Sequence, residues 1–222
     1  MYPSFIVEYG VSPHHLSSKV FLGIVEWLRT TRLDAKHSGR KLEADALKIV
    51  INRIYGALND AMDYLYDPEC TYTVTINLQL LLCNLIEAFE LNNFDVLSAN
   101  TDGLLVRLPI SRKDTFEHIC KEWEDYSKLT LETEKFEKYC RSAVNDYIAV
   151  GYGFYDALQE YNRCGVWIDS KGNTYTTRQA IEDKFIKFKG YFLQDPEYNK
   201  GFVYPVVKKA LKEYFLYGVD IT

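Results

Sequence analysis

Apolar residues near the start of the chain recur with helical spacing in two segments separated by a short break. The first segment, residues 17–36, is predicted to be a helix whose apolar positions are Val20, Phe21, Ile24, Trp27 and Leu28. Gly39 in the break ends this helix, and residues 41–55 are predicted to form a second one. Because the break is so short, the two helices are expected to pack as an antiparallel hairpin.

The middle of the chain predicts a helix followed by two strands. The helix covers about 75–91 and buries one apolar face, made of Leu78, Leu82, Leu85, Ile86 and Phe89. Two apolar stretches within 94–108 then flank a short polar segment at 100–103, which predicts a β-hairpin.

Shorter elements are predicted elsewhere. Strands are expected at 1–10 and near 129–136 and 146–151, and helices near 113–127 and 204–217. The buried side of the 113–127 helix is predicted to carry Phe116, Ile119, Cys120 and Trp123. This order predicts the α+β class, with helices on one face of an antiparallel sheet that has the 94–108 hairpin at its centre.

Composition limits the function classes. The chain has 222 residues and a formal charge of −5, which on its own argues against a nucleic-acid-binding protein, since such proteins usually carry a basic excess. Basic residues are nevertheless concentrated in 29–48 and 184–209. Local patches can therefore bind phosphates while the whole chain stays acidic.

Cysteine and histidine positions predict neither a disulfide framework nor a zinc site. The five cysteines are scattered without a C-x-x-C pair, which is typical of reduced thiols in a cytoplasmic protein. The four histidines show no ligand spacing, so a metallohydrolase is not favoured. No apolar run is judged long enough to span a bilayer, and no membrane partner is expected.

The predicted helix hairpin carries cations at helical spacing. Arg32 and Lys36 are four residues apart, as are Lys48 and Asn52, and Tyr55 continues the second stripe. Three cations and an amide could face one groove and hold a polyphosphate. The alternative is that these are ordinary solvated charges, although Asn52 is a poor residue for a helix interior.

Two further positions allow two interpretations each. Asp102, followed by Gly103, is either a hairpin turn residue or a carboxylate held in place to bind a metal. Gly56 either ends the second helix or allows another molecule to approach the backbone closely.

Four motifs in order carry a resemblance to a known family: MYPS at 1–4, RLDAK at 32–36, KIVINRIYG at 48–56 and SANTDG at 98–103. They resemble the S-L-Y-P-S, R-x-x-x-K, K-x-x-x-N-S-x-Y-G and Y-G-D-T-D-S motifs of the family B DNA polymerases, the last in a form associated with phage-type sequences. Later segments are similar to the palm of that family and to the approach to its thumb: LTLETEKFEKY, NDYIAVGY and KFKGYF. The resemblance covers most of the chain. Arg53, Asn100 and Asn145 depart from it, standing where Ser, Asp and Lys are usual.

The resemblance implies template-directed transfer of a nucleotide from a dNTP to a primer 3′-hydroxyl. Arg32, Lys36 and Lys48 would hold the triphosphate, and Lys48 would protonate the pyrophosphate leaving group. On the same basis, Asn52 and Tyr55 would line the pocket of the nascent base pair.

Further roles follow from the same resemblance. Tyr2 would pack on the sugar and exclude a ribose 2′-hydroxyl. Two Mg²⁺ ions would be the cofactors, with Asp102 as a catalytic metal ligand. Glu134 is either an auxiliary carboxylate near the metals or an exposed strand charge. Contacts to primer–template DNA are expected from Gly56, Thr101, Tyr147, Lys187 and Lys189.

The resemblance also predicts the domain organisation. Residues 1–16 would begin the palm with a truncated first strand, 17–56 would be the fingers hairpin, 57–185 the palm, and 186–222 the transition to the thumb. The family's first metal-binding aspartate lies upstream of the first motif. The chain is therefore expected to be a fragment that is inactive alone, with the exonuclease and thumb of a complete polymerase among its partners. The alternatives are a degenerate or split module that binds DNA or a partner without catalysis, and an α+β domain with chance matches.

Overall fold

The computed structural model of the protein describes residues 1–101, 103–143, 146–190 and 205–219. The chain divides into two compact units, Met1–Leu131 and Glu132–Thr222. Helices dominate the first unit and small antiparallel sheets recur in both, so the predicted α+β class is confirmed.

The elements of the first unit are five helices and a hairpin, with a short 3₁₀ turn at Ile110–Arg112. In chain order they are α1 (Tyr2–Glu8), α2 (Ser18–His37), α3 (Lys41–Leu58), α4 (Pro68–Leu91), β1 (Asp95–Ala99), β2 (Leu104–Arg107) and α5 (Lys113–Ser127).

The N-terminal segment is a helix, so the strand predicted at 1–10 is wrong. Pro3 lies in the first turn of α1, where its missing N–H costs nothing. Phe5 and Ile6 are buried, and the ring of Phe5 stacks on that of Tyr9 at 4.3 Å between centroids. The aromatic and apolar residues at 2, 5, 6 and 9 follow a helical period, which outweighs the strand-like composition of the segment.

The predicted helix hairpin is confirmed. Helices α2 and α3 are joined through Ser38–Arg40, and Gly39 adopts the left-handed conformation (φ 72°) that terminates a helix. The predicted apolar face of α2 is correct only in part. Phe21 and Leu28 are buried, whereas Val20, Ile24 and Trp27 are exposed.

Helix α4 begins seven residues before the predicted start at 75. Asp67 is its N-cap and accepts a hydrogen bond from the Cys70 N–H, while Pro68 occupies the first turn. Its buried residues include four of the five predicted, Leu78, Leu82, Leu85 and Phe89, and Ile86 is half-buried.

The expectation that no apolar segment could span a bilayer is also corrected. By length and composition alone α4 could cross a membrane. Uncharged polar residues interrupt its apolar run, but its mean hydropathy stays high enough for a membrane span. Helices in protein cores meet the same criterion. One face of α4 packs in the core of the first unit, together with residues of α1, α2 and α5.

The hairpin predicted within 94–108 is confirmed, but its place at the centre of a larger sheet is not. Strands β1 and β2 pair antiparallel as a separate two-stranded sheet, with a bulge between Val96 and Ser98. One reason is that the N-terminal segment expected to supply a further strand is helical. Helix α5 then covers the predicted range and buries Ile119 and Trp123, while Phe116 and Cys120 pack partly buried beside them.

The second unit alternates short strands and helices. Its elements are β3 (Phe136–Ala143), β4 (Asp146–Gly151), α6 (Phe154–Cys164), β5 (Trp167–Ile168), β6 (Thr174–Tyr175), α7 (Arg178–Phe185), β7 (Ile186–Lys189) and α8 (Pro205–Tyr217). Among the described residues, β3, β4 and β7 form a three-stranded antiparallel sheet with β4 in the middle.

Of the elements predicted here, the strand at 146–151 and the helix near 204–217 are confirmed. The strand predicted at 129–136 is displaced, because β3 starts at Phe136. The alternating apolar residues that suggested the earlier strand are Leu129 and Leu131. Leu129 is buried in the core of the first unit, and Leu131 packs partly buried against the same core.

A buried acidic group connects α7 and α8. Glu182 is 4% exposed and accepts hydrogen bonds from Arg178 and from the hydroxyl of Tyr217, and it pairs with Lys212. Burial acts to raise the pKa of the Glu182 carboxyl. Its bonds with Lys212, Tyr217 and Arg178 outweigh that effect and hold the pKa below the ordinary value of 4.5.

Glu182→Gln is expected to destabilise the second unit by about 3 kcal/mol at neutral pH, because it removes the buried negative charge that pairs with Lys212 and Arg178. A carboxyl with a lowered pKa in the folded state adds stability above its ordinary pKa, and that stability is lost as the pH falls below it. The variant should therefore lose part of the acid dependence of unfolding. Denaturant-dependent hydrogen exchange of α7 and α8 measures the change within this unit.

Glu160→Gln is the matched control, since Glu160 is an exposed glutamate on α6 of the same unit. It should leave the exchange rates of α7 and α8 almost unchanged. Equal effects of the two variants would show that the Glu182 contacts add no specific stability.

Candidate functional site

Arg32 lies on the side of α2 that faces the rest of the hairpin. Leu28, one turn before it, and Ala35, one turn after it, are both buried. Arg32 itself is half-buried, and its Nε has no hydrogen-bond partner among the described residues. A buried guanidinium N–H without an acceptor is unusual, because losing its water without a replacement bond costs free energy. Lys36 follows one turn later on the same stripe and is exposed.

Lys48 has a matching position on α3. Ala44 and Ile51, one turn on either side of it, are buried, while Lys48 is exposed. Both Arg32 and Lys48 therefore lie on helix faces whose neighbouring turns are packed. The exposed Lys48 has its charged end at the edge of the hairpin, whereas the Nε of Arg32 is shielded from solvent. Asn52 continues the Lys48 stripe and is exposed.

Tyr2 and Tyr55 are brought together by the fold. Their rings stack with centroids 4.1 Å apart and planes 2° from parallel, so α1 contacts α3 through two residues that the motifs single out. The hydroxyl of Tyr55 shares a hydrogen bond of 2.6 Å with the hydroxyl of Thr75 on α4. We call the stacked rings of Tyr2 and Tyr55 the aromatic wall. Contacts with α1 and α4 hold the Tyr55 ring in place before any ligand is bound.

Gly56 does not end its helix, since α3 continues to Leu58. Of the two interpretations of Gly56, the helix stop is therefore wrong. A Cβ at this position would have nothing within 4 Å, and the residue is exposed. The backbone there is open to close approach from outside, at the usual cost of a glycine inside a helix.

The loop between β1 and β2 is closed by a hydrogen bond of 3.0 Å from the Asn100 N–H to the Gly103 carbonyl. Thr101 is exposed in this loop. Asp102 lies outside the described residues, as does Asn145, so both interpretations of Asp102 stay predictions.

Glu134 belongs to the second unit, just before β3, and is not a strand residue as one interpretation assumed. It is exposed and its carboxylate pairs with the ammonium of Lys187, one of the predicted DNA contacts. A metal ion at Glu134 would have to compete with this pair.

Tyr147, Lys187 and Lys189 share one face of the three-stranded sheet. Tyr147 on β4 lies directly opposite Lys189 on β7, and Lys187 is two residues from Lys189. The structure adds two residues that the sequence analysis missed. Arg141 on β3 pairs with Tyr147 from the other side, and Tyr139 stacks on Tyr147 at 5.0 Å. Tyr139 and Arg141 are two residues apart, so once the start of β3 is known the strand period predicts that both lie on the same face.

Another set of side chains was missed altogether. His14, Asp67 and Cys70 place one donor atom each within 4.8 Å of one another, and they form the single group of three or more potential metal ligands found in the described part of the chain.

Two comparisons with known proteins relate part of the chain to DNA polymerases. A DNA polymerase of Thermococcus gorgonarius is 28% identical over 177 residues, which cover 62% of this chain and 23% of the polymerase. No protein-family model matches the chain. Over this part, the chain is similar to DNA polymerases.

The fold shows the same likeness. The family B DNA polymerase of the hyperthermophilic archaeon Pyrobaculum calidifontis superposes with a TM-score of 0.51 over 68% of this chain and 25% of the polymerase. At 18% sequence identity this comparison supports the fold alone. The chain thus spans about a quarter of each polymerase that it matches. Both relatives are archaeal, and a phage-type origin stays a prediction.

The stack of Tyr2 on Tyr55 is expected to contribute about 1 kcal/mol of coupling energy to the stability of the first unit. A double-mutant cycle with Tyr2→Leu and Tyr55→Leu should yield this value, because each change alone removes the whole ring contact. Urea unfolding of the four proteins, followed by circular dichroism, measures it.

Tyr55→Phe is the matched variant, because it keeps the ring and loses only the bond with Thr75. Its cycle with Tyr2→Leu should show little coupling. Coupling of the same size in both cycles would mean that the hydroxyl, and not the stacked ring, joins the two helices.

Proposed function

We propose that this chain is the nucleotide-handling part of a template-directed DNA polymerase of the family B kind. It would hold a dNTP by its triphosphate for attack by the 3′-hydroxyl of a primer. The observation that carries the proposal is the half-buried Arg32, whose Nε has no acceptor among the described residues.

A triphosphate would supply the missing acceptor once the Arg32 side chain turns outward, because its Nε is shielded from solvent in this structure. Phosphate oxygens match the fork of a guanidinium, and the bonds are charge-assisted. Lys48 is exposed beside the packed side of the adjoining helix and adds a point charge, and Lys36 adds a third cation one turn from Arg32. Phosphoryl transfer depends mainly on positioning and charge neutralisation, so cations held on rigid helices suit it. Lys48 is also proposed to donate a proton to the departing pyrophosphate.

The sugar and base of the nucleotide would lie against the aromatic wall. Asn52 and Tyr55 follow Lys48 on one stripe of α3, so a nucleotide bound by its phosphates at Lys48 would extend towards them. Tyr2, stacked on Tyr55, has its ring orientation fixed by that contact. A fixed ring can reject a 2′-hydroxyl by steric exclusion.

Two Mg²⁺ ions are the proposed cofactors, with Asp102 as a ligand. When bound, they would neutralise the phosphates and activate the 3′-hydroxyl. Glu134 fits the auxiliary role less well, because its carboxylate is already paired with Lys187. Asn100 and Thr101 add only neutral oxygen donors in the same loop.

Primer–template DNA is the proposed partner of the face that carries Tyr147, Lys187 and Lys189. Lysines two residues apart on a strand project from one side, at a spacing suited to successive phosphates. Gly56 and Thr101 are exposed and are proposed to contact the template and primer.

A second candidate is a module that binds DNA or a partner without catalysis. It is favoured by the neutral Asn100, where the family motif has a carboxylate, and by the pairing of Glu134 with Lys187. The presence of Arg32, Lys48 and Asp102 together favours the catalytic proposal, since a DNA-binding module needs neither a triphosphate site nor a metal ligand.

In a polymerase that contains this segment, Lys48→Ala is expected to slow nucleotide incorporation about 100- to 1000-fold. The lost contact strengthens in the transition state, and such contacts are worth about 3–4 kcal/mol. Single-turnover primer extension with Mg²⁺ measures the rate, and Asp102→Ala in the same assay should abolish it.

Lys41→Ala is the matched control, because Lys41 is an exposed lysine on the same helix with no proposed role. It should retain the parent rate. Unchanged turnover of Lys48→Ala would mean that Lys48 is only a solvated helix charge, and full activity of Asp102→Ala would make Asp102 an ordinary turn residue.

The DNA proposal is tested on the chain itself. Lys187→Ala/Lys189→Ala should weaken binding to a primer–template duplex and should reduce the slope of log affinity against log salt by about 2, one for each lost phosphate contact. Fluorescence anisotropy over a range of NaCl concentrations measures both.

Lys121→Ala/Lys171→Ala removes the same total charge from exposed positions outside the sheet face and outside the basic stretches. It should change the slope little. If both double variants reduce the slope equally, binding follows net charge and not the proposed face.

A further inference from the structure

Three side chains from distant parts of the sequence meet at the beginning of α4. His14 lies in the loop between α1 and α2, while Asp67 and Cys70 are the N-cap and a first-turn residue of α4. His14 and Asp67 are 53 positions apart, and the Nδ1 of His14 is 2.9 Å from Oδ2 of Asp67. With the Cys70 Sγ, the three donor atoms lie within 4.8 Å of one another.

The carboxylate of Asp67 holds this arrangement in place. Its Oδ1 accepts the Cys70 N–H at 3.1 Å, and its Oδ2 accepts the His14 backbone N–H at 2.9 Å. A carboxylate offers about four lone-pair positions, so acceptor capacity remains for a further ligand. Because Asp67 is oriented by backbone donors on both sides, its position does not depend on the ligand.

Exposure of the three residues fits a site with one entrance. Asp67 is 7% and Cys70 3% exposed, whereas 68% of the His14 side chain is accessible to solvent. A cation could reach the two buried donors from the His14 side, and a water molecule could remain bound there.

The second ring nitrogen of His14 also has a carboxylate nearby. Its Nε2 is 3.9 Å from Oε2 of Glu69, an exposed residue between the two other donors in sequence. In metal sites, a ligating histidine usually directs its other ring nitrogen to a carboxylate or carbonyl, which fixes the tautomer and the ring orientation. A rotation of the exposed Glu69 side chain would shorten this distance enough for it to accept the Nε2–H while Nδ1 faces the cluster.

We propose that His14 Nδ1, an Asp67 carboxylate oxygen and Cys70 Sγ bind a zinc ion, with water as the fourth ligand. One nitrogen, one oxygen and one sulfur donor suit tetrahedral Zn²⁺, and the thiolate disfavours Mg²⁺ or Ca²⁺. The ion takes the place of the protons on Nδ1 and Sγ, which pass to solvent. The site is separate from the residues proposed to handle nucleotide and DNA, and the proposal does not rest on that function.

Charge balance explains why the two anionic ligands are needed. The N-terminus of a helix carries partial positive charge, which opposes a cation. Asp67 and a Cys70 thiolate together supply two negative charges against the two positive charges of zinc, and Glu69 adds a third nearby. Binding would join the loop before α2 to the start of α4 and so stabilise the first unit.

The test is titration of the 222-residue chain with Co²⁺ and then Zn²⁺, with circular dichroism to establish that each variant is folded. The expected result is one equivalent of Co²⁺ in a tetrahedral spectrum with a thiolate charge-transfer band, displaced by one equivalent of Zn²⁺. Zinc should also raise the thermal unfolding temperature. His14→Ala should abolish both effects, and Glu69→Gln should weaken zinc binding about 10- to 100-fold.

Two controls separate this site from chance binding. His15→Ala changes the neighbouring exposed histidine, whose Nε2 contacts the Tyr64 carbonyl, and should bind zinc as the parent does. A variant with Ser at Cys83, Cys120, Cys140 and Cys164 keeps Cys70 as its single thiol and should also keep the Co²⁺ spectrum. The proposal is overturned if His14→Ala retains the spectrum, if the single-thiol variant loses it while folded, or if zinc leaves the unfolding temperature of the parent chain unchanged.

Discussion

Helix α4 packs its buried side chains against most of the other elements of the first unit, and the position of each of those elements follows from this contact. Val74, Leu78, Leu85 and Phe89 share one core with residues of α1, α2 and α5. The Nε1–H of Trp123 donates to the Leu81 carbonyl at 2.8 Å, which ties α5 to the same helix. Asp67 caps α4 and sets where it begins.

The candidate nucleotide site depends on α4 indirectly, through Tyr55. Thr75 on α4 holds the hydroxyl of Tyr55, and Tyr55 in turn carries the ring of Tyr2. Small buried residues, Ala35 on α2 and Ala44 on α3, let the two hairpin helices approach closely near their turn. A tight hairpin of this kind leaves long cationic side chains little room inside and directs their charged ends to its edge.

The sequence predicted the hairpin helices, the β1–β2 hairpin and α5, because each shows a clear period and a turn signal such as Gly39. It failed at 1–10, where Phe, Ile and Val suggested a strand while the spacing of Tyr2, Phe5 and Tyr9 was helical. The start of α4 lies before the predicted one because the Asp67–Pro68 cap precedes the apolar run from which the helix was predicted.

Contacts between side chains of the candidate sites were less predictable from the sequence than the helices and strands. The motif order brought Tyr2 and Tyr55 into one proposed site, but only the fold shows that their rings stack. The pair of Glu134 with Lys187 spans 53 positions, as does that of His14 with Asp67, and no local spacing rule reaches so far. For the same reason, a search for ligand spacing along the chain could not find the cluster at the start of α4.

The exposed Trp27 on α2 has a practical consequence. The three tryptophans of the chain lie in three different environments: Trp27 at the surface of the helix hairpin, Trp123 in the core of the first unit, and Trp167 between Tyr175 and Phe185 in the second. The wavelength of indole fluorescence depends on the polarity around the ring, so the three residues should differ in emission wavelength and in access to dissolved quenchers. The molecule thus carries its own optical labels, one for the hairpin surface and one for the interior of each unit, without any added dye.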